Sequence, residues 1–173
     1  MFMEILTKDR EIAGIIPSYT QQGDQTLLYK TDGSCMVLPM HPETVVRQLA
    51  ERRQESLYLL RRWAGKCTGS KLWEPLGISW ELVLVPLKMR KPRVPGDTAT
   101  GYVSFSWIEE VEKSGDSSCL RLKNRQKLPV LWTWKTVVQH LQNAFLVQSL
   151  RLQSLDDVFL RRMALALPGH PPF

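Results

Sequence analysis

The sequence predicts an α+β fold: an antiparallel β-rich domain with one long helix in its N-terminal half and two helices at its C-terminus. Three observations carry that prediction. Short apolar or alternating segments recur up to residue 132, separated by turns bearing Gly, Pro, Asp or Ser. Residues 42–62 and 133–163 instead repeat apolar side chains every three or four positions, the helical period. The strands come mostly in runs and helices close the chain, the order of an α+β protein. With 173 residues, 43% of them hydrophobic and 23% charged, the chain is expected to fold as one domain over 1–167, with 168–173 a loose tail.

The elements follow in order. EIAGIIPS (11–18) is short and apolar, a strand. TLLYK (26–30) and CMVLP (35–39) flank KTDGS, whose Asp-Gly pair signals a hairpin turn. Pro42 opens a helix whose apolar face holds Val45, Val46, Leu49, Leu57 and Leu60; it should run to about Arg62 and stop at Gly65. ISWELVLVPL (78–87) is a buried strand, and KMRKPRVPGD (88–97) an extended polar segment held open by Pro92 and Pro95. GYVSFSWIEEVEK (101–113) alternates as a strand does, and CLRLK (119–123) and LPVLW (128–132) continue the sheet. Thr133 caps a helix to about Leu150, and Ser154 with Asp157 resembles the box that opens another.

Composition removes several classes of function. The start, MFMEILTKDR, carries Glu4 and Lys8 too early for the apolar core of a signal peptide. No run approaches the roughly 20 apolar residues needed to span a bilayer, so a cytoplasmic protein without a membrane partner is expected. Cys35, Cys67 and Cys119, like His41, His140 and His170, lie far apart and without metal-ligand spacing. Neither a structural metal nor a cofactor is expected.

The charge is more informative. From Arg61 to Arg93 the chain holds eight basic residues and two acidic ones, which accounts for the whole net charge of +6. A positive field confined to about a fifth of the chain points to a polyanionic partner, against the blander reading of a solvated basic face. Two stretches concentrate it. RRWAGKCTGSK (61–71) combines Arg61, Arg62, Lys66 and Lys71 with Gly65, Gly69 and Ser70. Glycine lets a backbone approach a ligand closely, so its N–H groups and the neighbouring cations can reach phosphate oxygens. The plainer alternative is a glycine helix cap with stray lysines. KMRKPR (88–93) supplies Lys88, Arg90, Lys91 and Arg93 on an extended arm of the kind that enters a narrow minor groove, or else forms a solvated loop. Trp63 and Trp73 beside the basic loop belong to the core or stack on bases.

Catalysis finds no support. A nucleotide P-loop needs four residues between its glycines, then Lys and Ser or Thr, at a strand-to-helix junction; here three residues intervene, the order is Gly-Ser-Lys, and a helix precedes. Cys67 has cations nearby but no positioned base in sight. Glu109, Glu110 and Glu112 read as a solvated strand end. An enzyme is therefore not expected.

With these residues laid out, the chain resembles the bacterial competence transcription factor family, ComK, from about Gly14 to Leu152. The resemblance rests on Pro17 near the end of the first strand, the apolar strand Cys35–Leu38, and Trp63-Ala64-Gly65-Lys66 with Gly69. It continues through the strand Leu82–Pro86, Trp107-Ile108, and Leu128-Pro129. Residues 153–173 and the charged helix at 42–62 depart from the family pattern. The resemblance implies a nucleoid-associated, homo-oligomeric activator, a dimer or dimer of dimers. It would bind double-stranded DNA at paired A-rich and T-rich boxes, mainly through the minor groove, with Gly65, Lys66 and Gly69 in a DNA-contacting loop. Two alternatives stay open. Residues 101–146 also resemble LytTR-type major-groove modules, and a basic face also suits an adaptor that docks an acidic protein.

Overall fold

Residues 8–166 are described by the structure, a computed structural model. Strands β1 (Ile12–Thr20), β2 (Gly23–Lys30), β3 (Cys35–Leu38), β4 (Leu76–Gly77), β5 (Val83–Lys88) and β6 (Thr100–Ser104) form one antiparallel sheet in the order β3-β2-β1-β6-β5-β4. Strands β7 (Ile108–Ser114), β8 (Ser117–Leu122) and β9 (Lys127–Val130) form a second antiparallel sheet in chain order. Three helices complete the chain: α1 (Pro42–Arg52), α2 (Leu57–Thr68) and α3 (Trp134–Ala166).

Alternation along the strands divides the core in two. Ile15, Leu28, Leu84 and Tyr102 pack with Val45, Val46, Leu49 and Ala50 of α1 and Leu57 and Leu60 of α2. Val83, Val85, Leu87 and Val103 point the other way, onto Leu120, Leu122, Leu128 and Val130 of the second sheet and Val137, Ala144 and Val147 of α3. The α+β class and the 32–33 hairpin turn are as the sequence predicts: Gly33 takes φ +87°, and the Ser34 amide donates to Asp32 at 2.8 Å.

The helices are partitioned differently from expectation. The helix expected over 42–62 is two, because the chain breaks at Arg53–Ser56, where Gln54 adopts φ +59°. A straight helix would carry Leu57 and Leu60 further along its axis from the core they share with Leu49, and the break keeps them in it. Asp9, buried at the start of a short 3-10 turn, holds the break by pairing with Arg52 at 2.8 Å and Arg53 at 2.5 Å. The two C-terminal helices are one, since nothing between Leu150 and Asp157 is Gly or Pro and most of those side chains favour a helix. The strand expected over 101–113 breaks at a 3-10 turn, Phe105–Trp107, which takes the chain from the first sheet to the second. The expected tail, 168–173, lies outside the described residues.

Candidate nucleic-acid interface

The first basic stretch is not a loop through most of its length. Helix α2 continues to Thr68, so Arg61, Arg62, Gly65 and Lys66 lie on its last turns, and Gly69 ends it at φ +72° in a left-handed cap. The Gly69 amide donates to the Gly65 carbonyl at 2.9 Å, and Thr68 Oγ1 donates to the Ala64 carbonyl at 2.9 Å. Gly65 has a reason of its own: a β-carbon there would sit 2.9 Å from the Ser70 carbonyl oxygen. The absent side chain lets the outgoing chain fold back against the helix. Both glycines are thus explained by the turn that joins α2 to β4.

That fold-back makes a groove. Its volume is about 760 Å³, and it is lined by Arg61, Arg62, Gly65 and Lys66 of α2, by Gly69–Glu74, and by Pro86, Thr100 and Tyr102 of the sheet. Tyr58 and Leu72, both largely exposed, form its apolar lips, and Glu43 closes one end. All seven residues singled out between 61 and 71 line it. Arg61 is partly committed: it donates to Glu43 at 3.1 Å and to the Tyr102 hydroxyl at 3.3 Å. Burial works against the Arg61 charge, but Glu43 and Tyr102 outweigh it and hold its pKa above the usual arginine value. Arg62, Lys66 and Lys71 are exposed and have no ion pair or side-chain hydrogen bond among the described residues. Three cations therefore line one concave surface without an ion-pair or side-chain hydrogen-bond partner among the described residues.

The second basic stretch behaves otherwise. Lys88 ends β5 and lies opposite Thr100 of β6, so it belongs to the sheet face that floors the groove. Beyond it the expected extended arm is a folded loop, stitched down by two acidic residues. Asp24 takes the Arg90 guanidinium in a short ion pair and the Thr98 amide at 3.0 Å. Arg90 also donates to the Thr98 carbonyl at 2.6 Å. The side chains of Arg90 and Asp24 are 13% and 8% exposed. Asp97 accepts the Tyr19 hydroxyl at 2.6 Å and the amides of Arg93 and Val94 at 3.2 Å, bonds that keep its carboxyl below the ordinary carboxylate range. The Tyr19 ring lies between two guanidiniums, with Arg90 at 3.8 Å and Arg93 at 4.1 Å from its centroid. Arg90 is thus a structural cation, and the segment is not free to reach out as an arm. Lys91 and Arg93 remain exposed on its outside.

Trp63 and Trp73 are both half-buried, and Trp73 also lines the groove. Trp63 lies under the Arg151 guanidinium, 4.9 Å from its ring, and Trp73 meets Trp132 edge-on at 4.8 Å. The sequence signals that were missed are the acids. Asp24 opens β2 and Asp97 lies within the loop, and nothing local marks them as partners of Arg90, 66 positions away, and of Tyr19, 78 positions away. Tyr58 was legible as an aromatic on the polar side of its helix.

Among the described residues no group of three or more His, Cys, Asp or Glu side chains gathers as a metal site, and no helix is long and apolar enough to cross a membrane. The molecule is thus an α+β protein with a partly open, cation-lined groove beside a clamped basic loop. No family model, curated protein or solved structure matches the chain.

Proposed function

We propose that the protein is a sequence-specific, double-stranded DNA-binding transcription activator of the competence type, preferring A/T-rich boxes read largely through the minor groove. One observation supports the reading above the others: Arg62, Lys66 and Lys71 line a single groove with no ion-pair or side-chain hydrogen-bond partner among the described residues. Phosphate contacts of this kind fix a protein on a duplex and supply most of the salt-dependent affinity. Lys88 extends the same face, and Lys91 and Arg93 add to the field from the clamped loop. The clamp narrows the minor-groove element to those three side chains, because Arg90 is occupied by Asp24. Shape, more than base hydrogen bonding, then sets the preference for A/T tracts.

The test has two parts. Selection from a random duplex library is expected to enrich paired A and T tracts. In a gel-shift titration, replacing Arg62, Lys66 and Lys71 by Ala is expected to weaken duplex binding on the order of a hundredfold at moderate salt. The same replacement lowers the salt slope by up to about three, roughly 0.9 for each phosphate no longer neutralised. A failure to retard any duplex at low salt would overturn the reading in favour of an acidic protein partner. An enriched motif without A/T tracts, competed by major-groove ligands, would overturn the minor-groove part alone.

A further inference from the structure

Helix α3 is 33 residues long, about 50 Å at 1.5 Å per residue. Its first half is anchored. Val137, Ala144 and Val147 are buried in the core, and Arg151 pairs with Glu55 at 3.1 Å while covering Trp63. Gly77 of β4 permits this approach, since a β-carbon there would lie 3.0 Å from Arg151 Nε and 3.1 Å from Val147. Beyond Arg151 the helix leaves the body: every described side chain from Leu152 to Met163 is exposed.

This projecting half is not a polar solvent helix. Leu152, Leu155, Phe159 and Met163 follow at spacings of three and four, and Phe145, Leu152 and Phe159 recur every seven residues. Such spacing places them on one stripe, about a quarter-turn round the helix from the face that packs in the first half, so Phe145 is exposed while Ala144 beside it is buried. Asp157 and Arg161 lie on the opposite side. Each of the five stripe residues is 42–62% exposed.

We infer that this stripe is the surface on which a second copy of the same chain docks, helix against helix. Area argues for it. The five side chains leave on the order of 500 Å² of apolar surface in water, at the upper end of what a monomer commonly exposes in one patch. Two such stripes, with their flanking side chains, remove on the order of 1,200 Å² when pressed together, the lower bound for a specific interface. Geometry argues for a like partner. A straight, convex helix with a heptad stripe is complementary to another helix bearing the same stripe, and twofold pairing makes the contact closed and self-limiting. The inference does not depend on DNA binding.

Sedimentation of the full chain tests it. The wild type is expected to sediment as a dimer at tens of micromolar, with a melting temperature that rises with protein concentration. Leu155→Glu with Phe159→Glu is expected to give a monomer whose melting temperature is independent of concentration. Ser154→Glu, on the far side of the helix, is expected to leave the dimer intact. Far-ultraviolet circular dichroism checks that the monomeric variant is folded. Four results would overturn the inference: a monomeric wild type, a folded double variant that still dimerises, loss of the dimer in Ser154→Glu as well, or recruitment to lipid vesicles without self-association.

Discussion

The two basic stretches, 61–71 and 88–93, carry four cations each and look equivalent as strings of letters. In the folded chain they differ in what faces the cations. Around 61–71 one carboxylate, Glu43, takes one arginine, and Arg62, Lys66 and Lys71 stay in water. Around 88–93 Asp24, at the start of β2, and Asp97, at the far end of the same loop, fasten the loop to the first hairpin and Tyr19, and Arg90 disappears into the structure. A count of basic residues therefore measures available charge only after long-range acids have been subtracted.

The sharpest way to break this contrast is to remove one cation from each stretch. Arg90→Ala leaves the Asp24 carboxylate, 8% exposed, with the Thr98 amide at 3.0 Å and His41 Nδ1 at 3.4 Å but without its guanidinium, and losing one partner of a buried pair costs about 3 kcal/mol. Urea denaturation should show that loss, whereas Lys66→Ala should leave the stability within about 0.5 kcal/mol of wild type. Duplex binding should report the reverse order at matched folded fractions, with the Lys66 variant the weaker binder. Equal stabilities would mean that Arg90 is as dispensable to the fold as an exposed lysine, and the distinction would vanish.

A smaller effect separates the two roles a glycine can play in the groove. In an exposed helix Gly→Ala ordinarily stabilises, by about 1 kcal/mol. At Gly65 the new β-carbon meets the Ser70 carbonyl oxygen at 2.9 Å, so the sign should invert, to a loss of about 1–2 kcal/mol as the 69–71 turn is pushed away. The turn carries Ser70 and Lys71, so groove binding should fall with it. A stabilised Gly65→Ala would show that the turn yields freely and that the groove wall is not fixed by this contact.

The same contrast tells how far the sequence could be read. Local signals served well. Alternation and the Asp32-Gly33 turn placed most strands, and helical spacing found the regions of α1, α2 and α3 but neither 3-10 turn. What failed depended on partners remote in sequence. The break after Arg52 answers to Asp9 and to burial of Leu57, not to any Gly or Pro. The unbroken α3 overrode Ser154 and Asp157, a start signal with no helix end before it to respect. Within the site, the seven residues of 61–71 were identifiable by composition, and their assembly with Pro86, Thr100 and Tyr102 was not, because the floor comes from strands that pair across 16 residues. The clamped loop was misjudged for the same reason: Pro92 and Pro95 suggest extension, whereas Asp24, 66 residues from Arg90, and Tyr19, 78 residues from Asp97, tie it down.

The gentlest probe of the groove wall is pH. His140 on α3 stacks on Trp132 at 4.6 Å, Trp132 meets Trp73 edge-on, and Trp73 lines the groove. Burial lowers the His140 pKa below the ordinary imidazole value, a backbone hydrogen bond with Trp73 only partly opposing it, and Nδ1 has no partner. The folded chain thus binds this proton less readily than the unfolded chain. The stability associated with the neutral ring is complete above the unfolded value, near pH 6.5, and is lost progressively as pH falls below it. His140→Phe keeps the stack on Trp132 and removes the titration. Urea midpoints taken from pH 7.5 to pH 5 should therefore fall more steeply for the wild type than for the variant, the two curves separating only below about pH 6.5. Parallel curves would mean that the ring can charge in place, and that the wall built on Trp73 is more open to water than its packing indicates.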